Sequence, residues 1–172
     1  REYEMNYIGS WHSVIETEIF RLSLFRKNTT TTLFSAKGLQ AETFESYLLD
    51  RFYPPLGDFP ERDEYFRRAE AGELLMLSVC NPEETRQLRR NIMERNWTVC
   101  MLADIVFIPY GPKGSKTYTM AKRISRENIP IFTIDHDEAK DLHDLGIPGF
   151  NRKTVKAFLE DHGAKVAIPK DE

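Results

Sequence analysis

Apolar positions along this chain of 172 residues fall into two patterns. In some stretches they recur every three or four residues, as on one face of a helix. In others they run together in short blocks, as in strands covered on both sides. Residues 5–8 form the first block, which ends at Gly9-Ser10. Residues 13–25 then set Val14, Ile15, Ile19, Phe20, Leu22 and Leu24 among polar neighbours, predicting an amphipathic helix. Residues 29–35 are β-branched and then apolar, predicting a strand that breaks at Lys37-Gly38. A helix is expected over 42–49, and a loop over 53–60, where Pro54, Pro55, Gly57 and Pro60 fall. The densely charged stretch 61–71 predicts a solvated helix, and the apolar run 73–80 a strand buried on both faces.

Asn81-Pro82-Glu83-Glu84 has the composition of a helix start, with an Asn cap, a Pro at the first position and acids facing the dipole. That helix is expected to run to about Ala103. Residues 104–109 predict another buried strand, which opens into Gly111-Pro-Lys-Gly-Ser-Lys-Thr117. A helix over 117–128, a strand over 130–135 and a short helix over 138–144 follow. Gly146-Ile147-Pro148-Gly149 breaks the chain before a last helix, 152–162, and the apolar residues 166–168 of the tail offer a loose end or an edge strand. Strands alternating with helices predict an α/β fold, a Rossmann-like three-layer sandwich with a mostly parallel sheet. Residues 1–145 are read as the Rossmann-like domain, and 146–172 as a C-terminal helix and tail packed on it.

Composition narrows the function classes. With 41% apolar and 12% aromatic residues the chain can bury a core. Its formal charge of −3, from 24 basic and 27 acidic residues, excludes a global basic field, so nucleic-acid binding would need a local patch. Cys80 and Cys100 sit in apolar runs and read as small buried hydrophobes of a reducing compartment. No apolar stretch approaches the ~20 residues that cross a bilayer, and the N-terminus has no signal-peptide core. A cytoplasmic location without a membrane partner is therefore expected.

Ligands of parallel α/β sheets bind beyond the carboxyl ends of the strands. Three predicted strand ends carry small residues: Gly9-Ser10, Ser35-Ala36-Lys37-Gly38 and the 111–117 loop. In the last, Gly111 and Gly114 allow close backbone approach, and the following helix offers unpaired N–H groups and the positive end of its dipole. Ser115, Thr117 and Thr119 add hydroxyls there, and Lys113 and Lys116 add charge. The spacing is neither G-x-x-x-x-G-K-[ST] nor G-x-G-x-x-G, so an ordinary exposed turn is an equal reading of it.

Arg95 offers a bidentate fork for phosphate, and Asn96 an amide for a base or ribose edge. Arg86, Arg89 and Arg90 read instead as a solvated helix face. His136 and His143 lie among Asp135, Asp137, Asp141 and Asp144 without the spacing of a metal site, so neither a metal nor a cofactor is expected. No Ser/His/Asp or Cys/His set assembles. Lys37 and Glu42 flank the second strand end, where either could act.

In order along the chain, these turns resemble the nucleotide-binding domain of the DNA-processing protein A (Smf) family, part of the Smf/Lonely-guy (SLOG) superfamily of Rossmann-like domains. Tyr7-Ile8-Gly9-Ser10 resembles the family's V/I-G-S-R strand end, with Trp11 at the Arg position. Ser35-Ala-Lys-Gly-Leu39 resembles S-G-x-A-x-G-I-D, with Gln40 at the Asp and Phe44 at the usual His. Arg95-Asn96, followed by Leu102, Ala103 and Asp104, resembles R-N-x-I-x-x-L-S-D-x-x-x-V. Gly114-Ser115 with Thr117 or Thr119 and Ala121 resembles G-S-x-x-T-A, and residues 129–134 fit the strand that follows. The resemblance covers roughly residues 5–135.

It implies a domain that binds single-stranded DNA or a nucleotide through Gly9, Ser10, Lys37, Gly38, Arg95, Asn96, Gly111, Gly114, Ser115 and Thr117. A homodimer is a further expectation, with apolar helix residues such as Phe20 and Leu24 shared. The Lonely-guy branch of the superfamily, phosphoribohydrolases that release a base from a nucleotide, carries P-G-G-x-G-T-x-x-E. Here Tyr118 or Met120 stands at the catalytic Glu, depending on register. Binding is therefore expected over cleavage. The alternative, a nucleotide N-glycosidase or nucleoside transferase, needs Glu42 or a partner subunit's acid.

Overall fold

A computed structural model describes residues 4–51, 60–127 and 129–161. Most of the predicted loop at 53–60 and all of the predicted tail strand at 166–168 lie outside the described residues. The chain gathers into two compact units that divide between Val99 and Cys100.

In the first unit, strands β1 (Met5–Gly9), β2 (Thr29–Ser35) and β3 (Leu74–Ser78) pair in the order β1-β2-β3, and both pairings are parallel. The register runs from Met5 opposite Thr29 to Gly9 opposite Leu33, and from Thr31 opposite Leu74 to Ser35 opposite Ser78. Helix α1 (Val14–Leu24) links the first two strands. It begins at a capping box, in which the Ser13 hydroxyl accepts from Glu16 N–H while the Glu16 carboxylate accepts from Ser13 N–H. Phe20 and Leu24 of α1 pack with Trp11, Leu33, Tyr47, Leu48, Tyr65 and Leu74 to form the core. Two of these come from α2 (Phe44–Arg51) and one from α3 (Arg62–Glu70), helices that lie between β2 and β3 in the chain. Phe20 meets Tyr65 edge-on, with centroids 5.9 Å apart, a favourable geometry for the ring quadrupoles. Because Phe20 and Leu24 are buried in this core, they offer no surface for the dimer contact expected of them.

Three predictions fail in this unit. The charged helix expected to be solvated over 61–71 instead turns Tyr65 and Arg68 inward, both of them buried. The run 73–80 was expected to be buried on both faces, yet β3 ends the order and Leu75 is 53% exposed. The helix expected from Asn81 begins only at Arg89, as α4 (Arg89–Leu102). Asn81 caps a turn instead: its Oδ1 accepts from Glu83 N–H, and its carbonyl from Glu84 N–H. The physical reason lies in the partners of this segment. In a helix the carbonyls of Pro82 and Glu84 would accept from N–H groups four residues on. Here Pro82 O accepts from Gln40 N–H (3.0 Å) and Glu84 O from Gly38 N–H (2.8 Å).

In the second unit, β4 (Val106–Phe107), β5 (Ile131–Ile134) and β6 (Gly149–Phe150) pair in the order β4-β5-β6, again all parallel. Helix α5 (Lys116–Ile124) connects the first two strands. A 3-10 turn (Asp137–Ala139) and the short α6 (Lys140–His143) connect the last two, and α7 (Arg152–Asp161) follows. Ala121, Ile124, Ile131, Phe132, Ala139, Leu142 and Ile147 are buried. Strand β4 is shorter than the expected 104–109, and β6 falls where a break was expected. Gly146 does end the helical turn, at φ +83°. Pro148 then enters the sheet with its carbonyl, which accepts from Thr133 N–H (3.0 Å) and needs no N–H of its own.

The fold is therefore Rossmann-like α/β, with two three-stranded sheets in which every strand pairing among the described residues is parallel. Among the described residues no helix is long and apolar enough to cross a membrane.

Candidate functional site

The ten expected site residues divide between the units. Gly9, Ser10, Lys37 and Gly38 lie at the carboxyl edge of the first sheet, with Arg95 and Asn96 on α4. Gly111, Gly114, Ser115 and Thr117 gather in the second unit, between the end of β4 and the first turn of α5.

At the first edge the turns are bound to one another. Ser10 donates its hydroxyl to Glu16 Oε1 (3.1 Å), and its carbonyl accepts from the Tyr47 hydroxyl (2.7 Å). Trp11, at φ +52°, turns into the core, where its indole N–H donates to Thr32 O (3.0 Å). A bulky residue in this left-handed region is strained, and the indole's burial and hydrogen bond offset the cost. Lys37 is held through its backbone: its N–H donates to Ser35 Oγ, and its carbonyl accepts from Ser78 Oγ (2.6 Å). At Gly38, a Cβ would overlap the backbone of Asn81 and Pro82. That glycine serves the packing of the 81–84 turn.

Beneath this edge lies buried Glu42, which accepts from Ser35 Oγ (2.8 Å) and Ser46 Oγ (3.0 Å). Burial pushes the neighbouring Tyr65 phenol well above its usual range, with the charges of Tyr47 and Glu42 adding to the effect. Tyr65 therefore remains a donor, to Phe44 O (2.9 Å). The Ser46 and Tyr47 contacts were not legible in the sequence, where both residues sit inconspicuously in the helix expected over 42–49.

Arg95, expected to present its guanidinium to a phosphate, is only 3% exposed. Its Nε and Nη2 both donate to Asn96 Oδ1, at 3.1 and 2.9 Å. From this position Arg95 acts first on stability. Arg95→Ala is expected to lower unfolding free energy by about 2 kcal/mol, through lost packing and unpaired polar groups. Urea denaturation checks this, and an unchanged midpoint would contradict it.

The second unit's loop is built differently. Gly114 has φ +88°, with open space where a Cβ would stand, so its conformation is what requires glycine. Gly111 is packed more closely, its Cβ position lying 3.3 Å from Leu142, Thr117 and Tyr118 atoms. Ser115 caps α5: its Oγ accepts from Tyr118 N–H (3.0 Å), and its own N–H donates to Pro112 O (3.0 Å). The first turn of α5 contains no acid, while Lys113, Lys116 and Thr117 are exposed. Asp141, which sequence reasoning placed only in an acid-rich stretch, accepts from Lys113 N–H (2.7 Å). The loop thus already holds a carboxylate at one of its backbone donors.

His136, His143 and Asp135 make contacts at turns. His136 Nδ1 accepts from Glu138 N–H, and His143 Nδ1 lies 3.0 Å from Ile147 O. Asp135 accepts from Asn151 Nδ2 (3.1 Å). Among the described residues no three His, Cys, Asp or Glu side chains are placed to hold a metal ion. Burial pushes the Cys100 thiol up to about 11, so it stays protonated at neutral pH.

No family model, curated protein or solved structure matches the chain.

Proposed function

We propose that the chain binds a phosphate-bearing ligand, a nucleotide or a segment of single-stranded DNA, as a domain of the DNA-processing protein A type. Loop 111–117 is its phosphate cradle. The observation that carries this reading is the start of α5. It is entered through a left-handed Gly114, capped by Ser115, flanked by exposed Lys113 and Lys116, and free of acids in its first turn. N–H groups at the beginning of a helix lack intrahelical partners and carry partial positive charge, so they suit an anion. The carboxylate of Asp141 on Lys113 N–H illustrates the preference of this backbone for an oxygen anion.

A second reading rests on buried Glu42. A carboxylate at the carboxyl edge of a parallel sheet is the group that glycosidic cleavage through an oxocarbenium-like transition state would need. Against it, both carboxylate oxygens already accept from serine hydroxyls.

One titration separates the two readings. Nucleoside mono- and triphosphates added to the full chain are expected to raise its thermal midpoint and to remain intact. Release of free base that disappears in Glu42→Gln would establish the glycosidase instead. No midpoint shift at millimolar nucleotide or oligonucleotide would refute phosphate-ligand binding.

A further inference from the structure

The second unit carries an aromatic surface separate from loop 111–117. Phe107 of β4 and Phe150 of β6 have ring centroids 4.9 Å apart and are tilted by 54°. Beneath them lies buried Phe132 of β5, edge-on to Phe150 at 6.0 Å and to Phe158 of α7 at 6.0 Å. The inner ring of this cluster is enclosed, but the outer two are not: Phe107 is 36% exposed and Phe150 44%. Two and three residues beyond Phe150, Arg152 and Lys153 are exposed, and the first turn of α7 carries no acid to balance them. Those two cations sit at the end of the helix where positive charge is unfavourable. The Asp135 carboxylate, which accepts from Asn151 Nδ2 just before α7, offsets part of that cost, and an anionic occupant at Arg152 and Lys153 would offset more.

We infer that this face binds single-stranded nucleic acid, with bases stacking on Phe107 and Phe150 and the backbone phosphates meeting Arg152 and Lys153. Exposed aromatic rings beside cations are the combination that holds single strands without sequence preference, because every base presents a π-face. The cations favour a polyanion over an apolar protein partner. Such a patch also meets the need, in a chain of net charge −3, for local rather than global basic character.

The test uses the full chain and fluorescent oligo-dT and oligo-rU of about 20 nucleotides, read by anisotropy at low salt. The double variant Phe107→Leu/Phe150→Leu keeps apolar bulk and removes both rings. It is expected to weaken both oligonucleotides by about tenfold, with nucleoside triphosphate binding at loop 111–117 unchanged. Arg152→Gln/Lys153→Gln lies on the surface and leaves the aromatic packing intact. It is expected to make the log–log salt dependence shallower by about 1.4.

Retained affinity in the Leu double variant, together with an unchanged salt slope in the Gln double variant, would overturn the inference. So would a wild-type chain that binds neither oligonucleotide but forms a dimer dissolved by the Leu substitutions. Failure of the loop reading looks different: triphosphate binding is absent while oligonucleotides still bind.

Discussion

Gly38→Ala is expected to destabilise the first unit by about 3 kcal/mol, the upper end of what overpacking one methyl group costs. The added carbon would overlap the backbone of Asn81 and Pro82. Backbone atoms cannot rotate away as a side-chain end can, so the whole 81–84 turn must shift. That shift stretches two hydrogen bonds, Gly38 N–H to Glu84 O (2.8 Å) and Gln40 N–H to Pro82 O (3.0 Å), each worth about 1 kcal/mol net. Gly72→Ala is the control, since its Cβ meets nothing within 4 Å and the change tests only the left-handed backbone at φ +73°. Chemical denaturation should therefore show a much larger loss for Gly38→Ala than for Gly72→Ala. Equal losses would mean that the 81–84 turn does not pack on Gly38 in solution.

The second large effect is on binding. Gly114→Asp is expected to weaken phosphate-ligand affinity at least about fivefold, the equivalent of about 1 kcal/mol, while the domain stays folded. The residue lies at φ +88° in open space, so substitution meets backbone strain and no clash. That strain costs about 1–2 kcal/mol. A carboxylate at this turn adds a repulsion of about 1 kcal/mol at 4 Å in water, rising to about 4 kcal/mol where the surroundings screen less. Gly114→Ala carries the strain without the charge, so it should lose much less affinity. The difference between the two variants should also shrink as salt rises.

How much of this was legible in the sequence depended on whether the cause was local. Helix α1 and the threonine-rich β2 follow from periodicity and short-range composition, and the structure places them within a residue or two of expectation. The glycines of the 111–117 loop are local marks as well, whereas the Ser115 cap of α5 shows in the sequence only as a hydroxyl of the loop.

The failures arise from distant partners. Asn81-Pro-Glu-Glu has every local mark of a helix start, but its carbonyls are claimed by Gly38 and Gln40, some forty residues earlier. Arg95 has the chemistry of a phosphate fork, yet the tertiary packing that buries it, together with its neighbour Asn96, engages its guanidinium. Asp141 reaches Lys113 N–H across 28 residues, and no spacing rule marks that pair. Strand β6 is two residues long and follows a Gly-Ile-Pro stretch, so only its pairing with β5 reveals it.

The central claim, that loop 111–117 holds a phosphate, is tested most directly by titrating a nucleoside triphosphate into the wild-type chain and Gly114→Asp while following backbone amide shifts. The account predicts saturable shifts at Lys113, Ser115, Lys116 and Thr117 in the wild type, and clearly smaller ones at matched, sub-saturating ligand in Gly114→Asp. Saturable binding that leaves these four amides unmoved, or that persists undiminished in Gly114→Asp, would contradict it.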